Sequence, residues 1–135
     1  MGKKYLLDSN ICVYLLRNER GISDYLRKVK WENCCISEIT VIELFYGAEC
    51  SKAVEANKQE VRQLCADLEV IPVSVAIEEF ARQKARLRKE GTLIDDFDLL
   101  IGCTAKVAHC TLVTENVKHL ERVEGIVIEN WRGER

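Results

Sequence analysis

The sequence has a single proline, Pro72, only two histidines and no apolar run of membrane-spanning length. A bilayer-crossing helix needs about 20 consecutive apolar residues, so no membrane association is expected, and no secretory signal peptide either. Charge of one sign is also missing: 20 Lys and Arg against 22 Asp and Glu leave a net charge of −2. The molecule as a whole is therefore not an electrostatic binder of nucleic acid, and any such contact must use a local patch. One candidate patch is Arg82, Lys84, Arg86, Arg88 and Lys89, with Lys58 and Arg62 upstream; the competing reading is a solvated helix face. No Gly-x-Gly-x-x-Gly or other phosphate-cradling loop occurs, so the sequence signals of dinucleotide and P-loop binding are absent. His109 and His119 lie among polar residues and read as surface positions, and no Ser/His/Asp arrangement recommends itself. There are no repeats, low-complexity tracts or interdomain linkers.

Cysteine is plentiful, but not in the patterns that would give it a structural task. The seven are odd in number, none forms Cys-x-x-Cys, and Cys34 and Cys35 are adjacent, which is poor spacing for metal ligands. Without a secreted context neither a disulfide framework nor a zinc staple is expected, and the compartment expected is the reducing cytoplasm. Cys12, Cys65 and Cys103 sit inside apolar helical patterns, where Cys acts as a small hydrophobe. With 47% apolar residues in 135, one domain over residues 1–135 can bury roughly two-thirds of its unfolded surface.

What is present is an alternation of short apolar strands and amphipathic helices. Strands are predicted at Lys4 to Leu7, Cys34 to Ile36, Val70 to Val73, Cys110 to Val113 and Gly125 to Ile128. Helices are predicted at Ile11 to Arg17, Ile22 to Lys30, Ile39 to Glu49 after Ser37 as N-cap, and Ser51 to Leu68 with room for a break near Asn57. Further helices are predicted at Val75 to Lys89, with Ile77, Phe80, Ala81, Lys84, Ala85 and Leu87 inward, at Leu99 to Ala108, and at Val117 to Leu120. Such alternation means a parallel sheet of four to five strands with helices on both faces. The Leu99 to Ala108 helix is apolar on nearly every side and should be central.

Four acidic residues stand out against this frame. Asp8 follows the first strand, where it either caps the next helix or serves chemistry, because open α/β sheets bind ligands at the carboxyl ends of their strands. Glu43 has Ile39, Thr40, Tyr46 and Gly47 as helical neighbours, an apolar or small face. Gly47 there suggests close approach by another backbone. The competing reading of Glu43 is a packed stem with a solvated head. Asp98 lies in a first helical turn that Asp95 or Asp96 already serves as cap. Glu115 ends the fourth strand. Two carboxylates about 4 Å apart repel by roughly 4 kcal/mol at an effective dielectric near 20, so such a cluster needs protons or a cation. Oxygen ligands suit Mg²⁺ or Mn²⁺, and such a pocket fits phosphodiester hydrolysis.

The segments Leu6-Leu7-Asp8-Ser9-Asn10, Ser37 to Ala48, Asp96-Phe97-Asp98-Leu99-Leu100-Ile101 and Leu112-Val113-Thr114-Glu115-Asn116, with the ending Leu120 to Trp131, resemble the PIN-domain ribonucleases. Within that group they resemble the VapC toxins of bacterial type II toxin–antitoxin pairs. Each motif alone is weak; together, in order across nearly the whole chain, they are highly specific. The resemblance implies a PIN-like α/β/α sandwich and a Mg²⁺-dependent endoribonuclease, with Mn²⁺ able to substitute. It implies Asp8, Glu43 and Asp98 as metal-binding carboxylates, oriented by Ser9, Asn10 and Thr114. The fourth place is open between Glu115, Asn116 and water, because many relatives carry Thr-Asn-Asp or Thr-Asn-Asn here. Asp95 and Asp96 rank below Asp98. Also implied are a structured RNA substrate such as tRNA, a small antitoxin that occludes the site, and a homodimer. The alternative is an inactive PIN-fold module that binds RNA or protein. A receiver or dehalogenase-like phosphotransfer domain is disfavoured, because Asp8-Ser9-Asn10 lacks an Asp two residues on and Asp95-Asp96 opens a helix.

Overall fold

The computed structural model describes residues 2–131. Among them, five short strands form one sheet: β1 (Tyr5–Leu7), β2 (Cys34–Ser37), β3 (Glu69–Ile71), β4 (Thr111–Val113) and β5 (Ile128–Glu129). Their spatial order is β3-β2-β1-β4-β5 and every pairing is parallel. The crossovers carry α1 (Ser9–Leu16), α2 (Ile22–Val29), α3 (Glu38–Glu49), α4 (Val54–Asp67), α5 (Ile77–Glu90), α6 (Asp96–Val107) and α7 (Val117–Leu120). No helix among the described residues is long and apolar enough to cross a membrane.

The pleat sends alternate side chains to opposite faces. Leu6, Cys35 and Leu112 join one core with Leu87 of α5, Leu99 and Ile101 of α6 and Leu120 of α7. Tyr5, Leu7, Cys34, Ile36 and Val113 join the other, with Ile11 and Cys12 of α1, Ile22 and Leu26 of α2, and Val61 and Leu64 of α4. Helix α3 serves both, through Ile39 on one side and Leu44 on the other. Strands covered on both faces need apolar residues at every position, and β1 and β4 are buried throughout. Each fully buried Leu or Ile contributes about 1.5–3 kcal/mol, so the sheet is a firm base for whatever its strand ends hold. Trp131 closes the second core by stacking on Tyr25, with ring centroids 5.1 Å apart.

Several boundaries differ from those predicted. β3 ends at Ile71, one residue before Pro72, which has no N–H for the ladder; Val73–Ala76 is a 3₁₀ turn instead. Gly125 is not in a strand: its φ of +82° places it in a turn, and β5 begins only at Ile128. Helix α4 starts at Val54 and runs unbroken past Asn57, whose side chain donates to Ser51 Oγ at 2.8 Å. On α5 the fully buried positions are Gln83 and Leu87, whereas Ile77, Ala81 and Ala85 are exposed. A Gln is buried there because Glu124 engages it from both sides: Gln83 Nε2 donates to Glu124 O at 3.0 Å, and Glu124 N donates to Gln83 Oε1 at 2.8 Å. A Cβ on Gly47 would meet nothing within 4 Å, so no backbone crowds that position; Gly47 borders an open groove.

Candidate active site

Chain order and strand order part company between β1 and β4. From β1 the chain moves outward to β2 and β3, then returns to the far side of β1. The carboxyl ends of β1 and β4 therefore flank a topological switch point, the place where open α/β sheets bind ligands. Asp8 follows β1 there, and its backbone N–H donates to Val113 O at 2.9 Å. One carboxylate oxygen caps α1 through Ser9 N at 2.7 Å. The other accepts from Thr114 Oγ1 at 2.7 Å, across the switch point. Asp8 is only 5% exposed. Burial raises its pKa above the usual carboxylate value, against the opposite pull of the Thr114 and Ser9 hydrogen bonds.

Glu43 reaches the same point from α3. Its Oε1 accepts from Ser9 Oγ, and Thr40 Oγ1 lies 3.3 Å from that hydroxyl. Burial raises its pKa and so do the charges of Asp8 and Asp95, while the Ser9 hydrogen bond lowers it. Asp98 arrives from the first turn of α6, with Asp95 as the cap through Phe97 N at 3.0 Å. Asp98 is pushed up to about 6, first by burial, then by Asp8, Asp95 and Glu43, with His119 acting the other way. Asp8, Glu43 and Asp98 thus come together from three distant segments, and each holds its proton more tightly than a free carboxyl group.

The Thr114-Glu115-Asn116 corner divides its tasks. Thr114 Oγ1 also accepts from Asn116 N at 2.9 Å, and Asn10 Oδ1 accepts from Glu115 N at 3.4 Å. Asn116 Nδ2 donates to Asp98 Oδ2 at 3.2 Å, and its Oδ1 accepts from His119 Nδ1 at 2.8 Å. Ser9, Asn10, Thr114 and Asn116 therefore all support the corner or its carboxylates. Glu115 does not join the cluster: its carboxylate is taken by Tyr14 Oη at 2.7 Å and Arg20 Nη1 at 2.8 Å. Asp96 turns outward to Lys84 at 2.9 Å. Sequence reasoning missed His119, whose only signal was its position three residues after Asn116. It also missed the Tyr14–Arg20 pair and ranked Asp95 too low to foresee its charge on the pocket. In the α5 patch Arg82 is paired with Glu79 and Glu124, Lys84 with Asp96 and Arg86 with Glu90.

Among the described residues no group of three or more His, Cys, Asp or Glu side chains closes into a ready metal cage. The donor chemistry nevertheless fits a hard divalent cation: the converging groups are all carboxylates, all raised in pKa first by burial, and Glu43 and Asp98 are raised further by neighbouring carboxylate charge that a cation relieves. Mg²⁺ keeps several waters and takes only one or two carboxylates, so a closed protein cage is not required.

The PIN domain family model matches residues 5–126. The chain is 33% identical over 132 residues to the tRNA(fMet)-specific endonuclease VapC of Salmonella typhimurium, covering 95% of this chain and 98% of that one. It is 34% identical over 131 residues to ribonuclease VapC2 of Rickettsia felis, covering 94% and 97%. The fold is similar to a chain in the DNA-bound VapBC structure from Salmonella typhimurium, with a TM-score of 0.88, 34% identity, and coverage of 96% and 98%.

Proposed function

Because this chain belongs to the PIN-domain family, and within it to the VapC ribonucleases, we propose that it is a Mg²⁺- or Mn²⁺-dependent endoribonuclease acting as the toxin of a toxin–antitoxin pair. The observation that carries this reading is the convergence of Asp8, Glu43 and Asp98 at the switch point, each with its pKa raised. Asp8 and Asp98 are the residues to hold the ion, with Glu43 beside them. The ion, when bound, supplies activation of water for in-line attack and stabilises charge on a phosphoryl oxygen. Thr114 and the α1 N-terminus fix the Asp8 oxygens. Ser9 fixes Glu43, and Asn116, steadied by His119, fixes one oxygen of Asp98. Groups held in this way need little reorganisation when charge develops on the substrate.

The substrate class proposed is structured RNA such as tRNA, as the name of the Salmonella relative indicates for that protein. A small antitoxin partner is proposed because the similar structure is a VapBC complex, and a homodimer in the cytoplasm completes the reading. An acidic pocket favours an antitoxin segment carrying Arg, whose planar fork pairs with carboxylates. The test is cleavage of tRNA by purified protein in Mn²⁺. Asp8→Asn and Asp98→Asn should each abolish it with the fold intact, and full cleavage by either variant defeats the assignment. The second reading, a PIN-fold binding module without activity, is favoured by one observation: Glu115 is turned away from the pocket. Wild-type protein that binds tRNA and never cuts it, in Mg²⁺ or Mn²⁺, would establish that reading instead.

A further inference from the structure

Glu115 is the one expected site residue that the acidic pocket leaves unused, and the contacts that hold it form a unit of their own. Tyr14 lies on α1, Arg20 in the connection to α2, and Glu115 on the β4 corner. Tyr14 Oη donates to Glu115 Oε1 and Arg20 Nη1 to Glu115 Oε2, at 2.7 and 2.8 Å. The Arg20 guanidinium also lies over the Tyr14 ring, 4.5 Å from its centre.

The connection that presents Arg20 has an uncommon backbone. Asn18, Arg20 and Gly21 have φ of 54°, 60° and 64°. Gly and Asn tolerate this region, but Arg enters it at a cost. Such residues persist where surrounding contacts fix them, and they cluster at functional sites. Stability does not account for Arg20: its side chain is 48% exposed, and exposed ion pairs add little. Glu115 engages one nitrogen of the guanidinium, and the other N–H donors have no partner among the described residues.

The location matters as much as the geometry. Glu115 stands between Thr114 and Asn116, whose side chains hold Asp8 and Asp98. RNA brings one phosphate charge per nucleotide to a pocket of like charge, and Arg82, Lys84 and Arg86 of α5 are already paired with acids. The geometry points to Arg20 as a phosphate anchor of this site: a guanidinium preset by Tyr14 and Glu115 to hold a backbone phosphate of the RNA beside the bond that is cut. Glu115 is then the positioning residue of that anchor and not a metal ligand. The planar fork of Arg matches the oxygens of phosphate, and a side chain already held by stacking loses less freedom on binding. This inference rests on the ribonuclease reading of the pocket.

The experiment uses the purified full chain and fluorescently labelled total tRNA. It measures binding in chelator over a range of salt, cleavage in Mn²⁺, and thermal melts with and without Mn²⁺. Arg20→Gln should raise KM and Kd about tenfold, with kcat within about twofold, and flatten the salt dependence of log K by roughly 0.7–0.9, the share of one phosphate contact. Arg20→Lys should recover part of the loss. Glu115→Gln should weaken tRNA binding in the same direction, and both Arg20→Gln and Glu115→Gln should keep the full Mn²⁺ shift in melting. Wild-type Kd and KM in Arg20→Gln, or a fall confined to kcat, would overturn the inference. So would loss of the Mn²⁺ shift in Glu115→Gln, which would make Glu115 a metal ligand. An Arg20→Gln variant that binds tRNA normally but has lost affinity for an Arg-bearing antitoxin peptide would make this a protein contact. If wild type binds tRNA without cutting it, the ribonuclease reading fails and the binding arm alone decides on Arg20. If wild type neither binds nor cuts, both readings fall.

Discussion

Asp98 is half-buried and surrounded by charges of its own sign. Burial, Asp8, Asp95 and Glu43 push its pKa up to about 6, from roughly 3.9 for a free Asp. A carboxyl group whose pKa is higher in the folded state stabilises that state while it is protonated. Its contribution is complete below about pH 4 and is lost as the pH rises through about 6. Two units correspond formally to about 3 kcal/mol, but screening of a half-exposed group leaves about 1 kcal/mol. Asp8 and Glu43 are shifted in the same direction. Against this, the charge of Asp98 in the first turn of α6 gains about 0.3–1 kcal/mol from the helix dipole, a role that Asp95 already fills. Asp98→Asn should therefore be more stable than wild type at pH 8 in chelator, by up to about 1 kcal/mol, and no more stable at pH 4. Denaturant melts at the two pH values check this, and a variant less stable at pH 8 would mean that repulsion does not dominate the site. The positions of Asp8 and Asp98 at element junctions and the apolar neighbours of Glu43 marked them in the sequence as candidates, and only the family resemblance grouped them as one set. The orientation of Glu115 was not legible, because it depends on Arg20, a residue about ninety-five positions away whose loop conformation no local pattern encodes.

Elements were legible wherever apolar residues ran together, and illegible where one residue's backbone chemistry overrode the run. The Val70 to Val73 run reads as a strand, yet Pro72 stops the ladder. On α5 the Ile77, Ala81 and Ala85 spacing reads as an inner face, yet Gln83 takes that place because it satisfies Glu124 in the connection between α7 and β5. Helix α6 shows the opposite case, a run apolar on nearly every side that is buried from Leu99 through Ala105 except at half-buried Leu100. Its Gly102 is a packing requirement. A Cβ there would lie 2.8 Å from Val123 Cγ2 and 3.0 Å from Leu120 Cδ1. Gly102→Ala gains about 1 kcal/mol of helix propensity, while overpacking costs typically about 1–3 kcal/mol. The β-branched Val123 is stiff at χ1, so the cost should prevail and the variant should be less stable by about 1 kcal/mol in urea melts. A more stable Gly102→Ala would show that α7 and the turn at Val123 yield easily.

The molecule as a whole carries almost no net charge to guide it to the RNA proposed as its substrate, and Arg82, Lys84 and Arg86 of its basic helix are tied up in ion pairs. What the topology provides is a meeting point. Residues 8, 43 and 98 are far apart in the chain, and only the β3-β2-β1-β4-β5 order brings their strands and helices to one end of the sheet. The unfolded chain has no such cluster, so a divalent ion that binds there stabilises the folded state by mass action. The gain is about 2.7 kcal/mol at a hundred times Kd, or roughly 10 °C in Tm for a chain of this size. The sign of its pH dependence follows from the same three groups. Each holds its proton more tightly in the folded state, and an ion must displace those protons to bind. The Mn²⁺ shift in Tm should therefore be small at pH 5 and full at pH 8, the reverse of the trend for the metal-free protein. Asp8→Asn removes a carboxylate proposed to hold the ion, one that Thr114 and Ser9 keep in place, and it should lose most of the shift at pH 8. Thermal melts of both proteins, in chelator and in Mn²⁺ at each pH, make the comparison. A shift that ignores pH, or that survives in Asp8→Asn, would mean that the ion binds elsewhere and that the three carboxylates do not form the metal site.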